Sequence, residues 1–189
     1  MDDIADPEAA ARDALSRGDR RRALSLLMGL YGNTVYNYCR HLLQQPALAE
    51  DVLQTTFVQA FDDLERYRGK SSFRNWLLGI ARHRCLDTLK MKRREERHLA
   101  HPMVAPDVEA PTAGAEEQLH VASIGKYLTH CLGRLRDVVR EAVVLRFMHQ
   151  MSYEEMSKLT GERSATLQMR VARAMSGLRK CLQLSGVSP

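Results

Sequence analysis

Residues 99–118, LAHPMVAPDVEAPTAGAEEQ, hold three prolines, four acids and no lysine or arginine. Proline removes a backbone donor and clashes with the preceding turn, so prolines this close together stop a helix from running through. The stretch is also too poor in large apolar residues to bury itself in a core. It therefore reads as a flexible, acidic linker, and the chain must fold as separate units on either side of it. The boundaries that follow are an N-terminal extension at 1–21, a first domain at 22–98, the linker, a second domain at 119–184 and a tail at 185–189.

Both flanking segments carry the helical period. In RALSLLMGLYGNTVYNYCRHLL, Leu24, Leu27, Leu30 or Tyr31, Val35, Tyr38 and Leu42 trace one apolar stripe. Pro46 closes that run, and ALAEDVLQTTFVQAFDDL opens another with Val52, Phe57, Ala60, Phe61 and Leu64 facing inward. After the break at GKSS the period resumes through Phe73, Leu77, Ile80, Ala81 and Leu89. Four more helical runs follow the linker, and strand-like alternation is almost absent. The expected fold is all-α: a three- or four-helix bundle, a tether, and a second small bundle.

The net charge of +5 favours an anionic partner without naming one. No run of about 18 apolar residues is present, so nothing in the chain is expected to insert in a membrane. The start, MDDIADPEAAARD, is acidic and lacks the apolar centre of a secretory signal. Cys39, Cys85, Cys131 and Cys181 stand at wide intervals with no CxxC pair. They read as reduced thiols, mostly packed in cores, of a cytoplasmic protein.

The second domain has a DNA-reading pattern. Ser152 and Glu155 form a capping box that starts a short helix. Gly161 supplies the positive φ that ends it, and Ser164 is a suitable cap for the next helix. A helix, a short glycine turn and a second helix make a helix-turn-helix. In the last helix Leu167, Val171, Ala174 and Leu178 point inward, leaving Ala165, Met169, Ala172 and Arg173 outward, flanked by Thr166, Gln168 and Arg170. From residue 163 to 180 there are five lysines or arginines and no acid, as suits a helix face lying against phosphates. Arginine and glutamine there can pair with base edges in a major groove.

A second cationic stretch lies in the first domain. Between residues 66 and 94 stand ten lysines or arginines, including Arg82, Arg84, Lys90, Lys92 and Arg93, against the single acid Asp87. Tyr67, Phe73 and Trp76 flank the loop there, and aromatic rings among basic residues can stack on unpaired bases. The spacing of Phe73 and Trp76 with Ile80 equally fits a packed core. Lys70, Ser71 and Ser72 have no packing role to explain them. The preceding helix instead shows a polar face of Glu50, Asp51, Gln54 and Gln59, unsuited to DNA but suited to a basic protein helix or simply to solvent.

AEDVLQTTFVQAF resembles the polymerase-binding motif of bacterial sigma factors, in which D-x-x-Q-x-x-F is typical. SSFRNWLLGIARHRCLDTLKMKRR resembles the promoter-melting segment that follows it, and the run from Leu135 to Lys180 resembles the region that reads the upstream promoter element. With no third domain between them, the order is similar to the extracytoplasmic-function (ECF) group of the sigma-70 family. The resemblance implies a non-enzymatic subunit with no cofactor, which binds core RNA polymerase, directs promoter-specific initiation and is commonly restrained by an anti-sigma factor. Glu50, Asp51 and Gln54 would engage the β′ clamp helices, and the β subunit would be a further polymerase contact. Tyr67, Lys70, Ser71, Ser72 and Arg74 would capture a flipped base of the minus-ten element. Arg82, Arg84, Lys90, Lys92 and Arg93 would hold the surrounding phosphates. Arg163, Ser164, Thr166, Gln168, Arg170 and Arg173 would lie in the minus-thirty-five groove. The acidic linker would occupy the RNA path. Two positions depart from the family's usual pattern: Glu162 follows the turn glycine where an apolar residue is common, and Gln168-Met169 stands where Lys-Ser is frequent.

A free-standing helix-turn-helix regulator would also account for the second domain, but not for the first domain's basic segment and acidic-amide face. A metal or catalytic site is poorly supported. His83 with Cys85, and His130 with Cys131, lack the i, i+3 or i+4 spacing that converges on one ion, so no metal is expected.

Overall fold

The helical period is realised throughout the computed structural model of the chain, which describes residues 6–98 and 118–184. The proline-bearing stretch, apart from Gln118, lies outside the described residues, as do residues 1–5 and 185–189. The fold is all-α, with no strand among the described residues. The chain divides into two compact units, residues 1–91 and 92–189.

The first unit is built on α1 (Ala9–Ser16), α2 (Arg20–Leu43), α3 (Pro46–Asp63) and α4 (Phe73–His98). Asp19 caps α2 by accepting from the Arg22 amide at 3.0 Å. Gln44 ends the helix in the left-handed region at φ 61°, and Pro46 begins α3 in the first turn, where its missing N–H costs nothing. The stripe read from the sequence is buried at Leu27, Val35, Tyr38 and Leu42, and it meets Val52, Phe57, Ala60 and Leu64 from the α3 side. Phe73, Leu77, Leu78, Ala81 and Cys85 of α4 complete the core. Each such aliphatic or aromatic side chain removed from water contributes roughly 1.5–3 kcal/mol, which is what fixes these helices together.

Helix α1, in the segment read as an extension, packs on α2 with Ala11 and Ala14 buried. The Tyr31 hydroxyl of α2 donates to the Glu8 carboxylate at 2.7 Å, and Arg12 reaches the same carboxylate at 3.0 Å. Burial first, and then the bond to Glu8, pushes the Tyr31 phenol up to about 12. The sequence signal for this helix is weak, because its buried face is made of alanines and its anchor is a tyrosine 23 residues away.

The second unit contains α5 (Gln118–Gly133), α6 (Asp137–Val143), α7 (Tyr153–Thr160) and α8 (Ser164–Leu184). A π-helical turn, Val144–Met148, continues α6. The capping box is formed as expected: the Ser152 hydroxyl accepts from the Glu155 amide at 3.2 Å, and the Glu155 carboxylate accepts from the Ser152 amide at 2.8 Å. Gly161 ends α7 at φ 76°, which an L side chain adopts only with strain. Leu167, Val171, Ala174 and Leu178 are buried, as the stripe predicts, and Ala174 and Leu178 pack with Cys131, Leu132 and Val143.

Two sequence expectations are corrected here. Ser164 is not the cap of α8: the Arg163 carbonyl accepts the first intrahelical bonds, and the Ser164 hydroxyl donates instead to the Tyr153 carbonyl at 3.2 Å, tying α8 to the start of α7. Nor are all four cysteines reduced. Cys39 and Cys85 are buried free thiols, but Cys131 of α5 and Cys181 of α8 form a disulfide. Their separation of 50 residues hides the pairing in the sequence, whereas helix packing sets their Cα atoms 5.9 Å apart, within bridging range.

A loop of 50 residues closed by a disulfide is worth about 4 kcal/mol on chain-entropy grounds. Adding a thiol reductant should lower the melting transition of the second unit and leave that of the first in place, read by differential scanning calorimetry. The paired replacement Cys131→Ala with Cys181→Ala should abolish the response. Gly161→Ala should cost about 1–2 kcal/mol through its left-handed φ alone, measured by chemical denaturation.

Candidate nucleic-acid interface

Three surfaces carry the residues singled out by the sequence. The first is on α3. Glu50, Asp51 and Gln54 are exposed, one turn apart, while Val52, Thr56 and Phe57 on the opposite side are buried. The Thr55 and Thr56 hydroxyls donate back to carbonyls of the preceding turn, at 3.0 Å to Asp51 and 2.6 Å to Val52. Both hydroxyls are thus satisfied within the helix, and the carboxylates and the Gln54 amide remain at the surface. Val58, 65% exposed, lies one turn beyond Gln54 and adds an apolar contact point to the polar face.

The second surface begins where α3 tightens into a 3₁₀ turn, Leu64–Arg66, and the chain enters the loop before α4. Gly69 takes φ 67° at the tip. The Tyr67 ring stacks on Phe73 at a centroid distance of 4.2 Å and tilts against Trp76 at 5.2 Å. Phe73 is fully buried and Trp76 half-buried, so the packing alternative holds for Phe73, while Tyr67 and Trp76 keep part of their surface at the loop. The Tyr67 hydroxyl donates to the Ser71 carbonyl, closing the loop on itself. Burial, and next the negative field of Glu8, raise the Tyr67 phenol above its ordinary value.

Ser72 thus has structural employment that the sequence reading denied it, whereas Ser71 contributes only its backbone carbonyl. The Ser72 hydroxyl accepts from the Asn75 amide at 3.2 Å and its carbonyl accepts from the Trp76 amide at 3.0 Å, so Ser72 caps α4. The signal was available as serine three residues ahead of Asn75 at the head of an apolar-periodic run. Lys70 remains an exposed cation at the tip, and Arg74 is half-buried in the first turn.

Along α4, Arg82 and Lys92 are half-buried, and Arg84, Lys90 and Arg93 are exposed. Their partners differ. Arg84 donates to the Gln59 amide oxygen at 2.6 Å, and Gln59 donates in turn to Asp63 at 2.6 Å, so this guanidinium is drawn toward α3. Lys90 faces Asp87 at 3.2 Å, an exposed pair that solvent screens. The surface keeps a strong positive excess despite these contacts.

The third surface is α8. Ala165, Thr166, Gln168, Met169, Ala172 and Arg173 are exposed, with Arg163 at the helix start. The small residues in the first turns leave room for a groove edge to approach the backbone. Ser164 and Arg170 are half-buried and directed elsewhere: Ser164 to α7, and Arg170 to Glu162, with which it forms a two-pronged ion pair at 2.7 and 2.5 Å. That bond to Glu162 raises the Arg170 guanidinium above its already high value. On the other side of the second unit a groove of about 400 Å³ is lined by Leu128, Leu132, Val143, Phe147, Met175 and Leu178. Among the described residues no group of three or more His, Cys, Asp or Glu is placed to hold a metal ion.

Comparison with known proteins places the chain in a family. The sigma-70 region 2 profile matches residues 27–95, and the sigma-70 region 4 profile matches residues 125–178. The ECF RNA polymerase sigma factor SigC of Mycobacterium tuberculosis is 30% identical over 176 residues, covering 92% of this chain and 91% of that protein. The ECF RNA polymerase sigma factor SigM of Bacillus subtilis is 28% identical over 162 residues, covering 84% and 94%. Among solved structures, CnrH in complex with the cytosolic domain of CnrY is 25% identical, with a TM-score of 0.65 over 95% of this chain and 99% of that one. RpoE of Bartonella quintana, solved with the anti-sigma factor NepR, shares the fold at 21% identity and a TM-score of 0.67, covering 82% and 94%. The region 2 match contains the acidic-amide face of α3 and the basic loop and helix after it, and the region 4 match contains the turn and most of α8. The chain belongs to the ECF group of the sigma-70 family, RNA polymerase sigma factors that direct promoter-specific transcription initiation.

Proposed function

We propose that this sigma factor divides initiation among the three surfaces. Glu50, Asp51 and Gln54 on α3 engage the β′ clamp helices of core polymerase, an acidic-amide face meeting a basic helix. The loop Tyr67, Lys70, Ser71, Ser72 and Arg74 receives an unpaired base of the minus-ten element, with the exposed ring edges of Tyr67 and Trp76 as the stacking platform. Arg82, Lys90, Lys92 and Arg93 neutralise the phosphates around the opened strand, while Arg84 is held by Gln59 and braces α4 against α3. Arg163, Thr166, Gln168 and Arg173 face the minus-thirty-five groove. The apolar groove of the second unit offers the β subunit a contact, and the acidic residues of 99–118 follow the RNA path.

The observation that carries this reading is the sorting of charge within one chain. An acidic-amide face, a segment with ten cations to one acid, and an acid-free helix each occupy a separate surface. A lone DNA-binding regulator needs only the last. The subunit acts in the cytoplasm by positioning polymerase and promoter, without itself catalysing a bond change. No helix among the described residues is long and apolar enough to cross a membrane. Control by an anti-sigma factor is supported by the structural neighbour RpoE of Bartonella quintana, solved with the anti-sigma factor NepR, and an envelope or environmental stress is the signal that would release it.

Gel filtration with core polymerase, without DNA, tests the assignment first. The wild-type chain should co-elute at one-to-one stoichiometry, and Asp51→Ala with Gln54→Ala should weaken co-elution while leaving the melting profile unchanged, since both side chains are exposed. Normal co-elution of that variant would remove α3 from the polymerase contact. Arg173→Gln should leave core binding intact but lower promoter affinity, with the slope of log K against log salt reduced by about one.

A further inference from the structure

Arg170 sits on the DNA-facing helix, is basic, and would ordinarily be counted among the side chains that read bases. Its geometry says otherwise. Both terminal guanidinium nitrogens are committed to the two oxygens of Glu162, at 2.7 and 2.5 Å, and Nη1 also approaches the Val138 carbonyl of α6 at 3.4 Å. The side chains are only 20% and 31% exposed. Glu162 is itself fixed, because its backbone amide donates to the Thr160 hydroxyl at 3.2 Å directly after the left-handed Gly161. One arginine therefore joins α8, the turn and α6.

The helical wheel agrees. At about 100° per residue Arg170 lies about 60° from the inward Leu167, whereas Met169 lies about 160° from it. Met169 is 54% exposed, and Gln168 and Arg173 are exposed on either side of it.

Energetics decide whether DNA could pull Arg170 away. A good bidentate base contact is worth about 1–3 kcal/mol. To make one, Arg170 must abandon a two-pronged, partly buried pair and leave the Glu162 carboxylate uncompensated beside a polyanion. The exchange gains nothing.

Resting on the assignment of α8 to the minus-thirty-five groove, we propose that Arg170 is a positioning residue latched by Glu162, and that promoter discrimination falls to Gln168, Met169 and Arg173. Glutamine offers its amide to an adenine edge, arginine its fork to guanine, and methionine an apolar contact to a thymine methyl. Glu162, the one acid at the mouth of an otherwise acid-free element, holds the turn at the angle from which these three reach the bases.

The test uses holoenzyme reconstituted with core polymerase and a pool of promoter-length duplexes randomised upstream of the start site, read for base preference, for salt dependence and for melting of the sigma chain. Glu162→Gln with Arg170→Gln removes one charge of each sign. It should lower the melting temperature and weaken the preferences read by Gln168, Met169 and Arg173 together, because all three lose their support, yet keep the wild-type salt slope. A slope reduced by about one, with preference lost at one position, would show Arg170 reading DNA and overturn the proposal. Glu162→Gln alone should steepen the slope by about one as the released guanidinium finds a phosphate. An unchanged slope and unchanged melting would mean that no latch exists. Arg173→Gln separates the two levels. If it alters slope and preference, α8 lies on DNA and the other variants judge the latch; if it alters neither, the DNA assignment of α8 falls and the latch's role in promoter reading falls with it.

Discussion

Each unit has fewer than a hundred residues in which to bury a core, and this constraint sorts everything else. Helix stripes of Leu, Val, Phe and Ala must meet, so most charged side chains collect on the remaining helix surfaces, with Arg140 and Glu141 as buried exceptions. In the first unit α3 turns Val52, Thr56 and Phe57 inward and so necessarily turns Glu50, Asp51 and Gln54 outward. In the second, seating Leu167, Val171, Ala174 and Leu178 aims Met169 and Arg173 at solvent. The interaction surfaces are the complements of the cores, and packing sets their orientation.

How legible this was depended on the range of the interaction. The capping box at Ser152 and Glu155, the left-handed Gly161 and the α8 stripe all lie within one or two helical turns, and periodicity or cap chemistry reveals them. What stayed hidden involves partners distant in sequence or groups with two possible uses. The Cys131–Cys181 bridge spans 50 residues, the Tyr31–Glu8 bond 23, and the Arg84–Gln59 bond 25. Ser164 was misread because a serine at a helix start can cap its own helix or donate to a neighbouring one, and only the packing of α8 against α7 decides it. Ser72 was misread the other way, as a loop hydroxyl without employment, when it caps α4. Arg170 belongs with these: composition announces the charge, but not that an acid eight residues earlier takes it up.

The two units also differ in how they are held. The first relies on a continuous apolar core with aromatic closure at Tyr67, Phe73 and Trp76, and keeps its two cysteines as buried thiols. The second has short elements, α6 and α7 among them, and supplements its core with a covalent tie from α5 to α8 and an ionic tie from the turn to α8. Both ties end on α8. A smaller core thus gains rigidity at the helix whose orientation matters most for reading a duplex.

Helix α1 gives a practical boundary. The family match begins at residue 27, inside α2, whereas the first unit's packing begins with Glu8 and runs through Ala11, Ala14 and Ala23. A fragment cut where the region 2 profile starts would lack the Asp19 cap, the first two turns of α2 and the partner of Tyr31, and would expose alanine faces that are now in contact. The packed limit of this domain lies some twenty residues ahead of the region 2 profile, so an excised first unit keeps its stability only if it begins before Asp6, whose carboxylate accepts from the Glu8 amide at 2.9 Å.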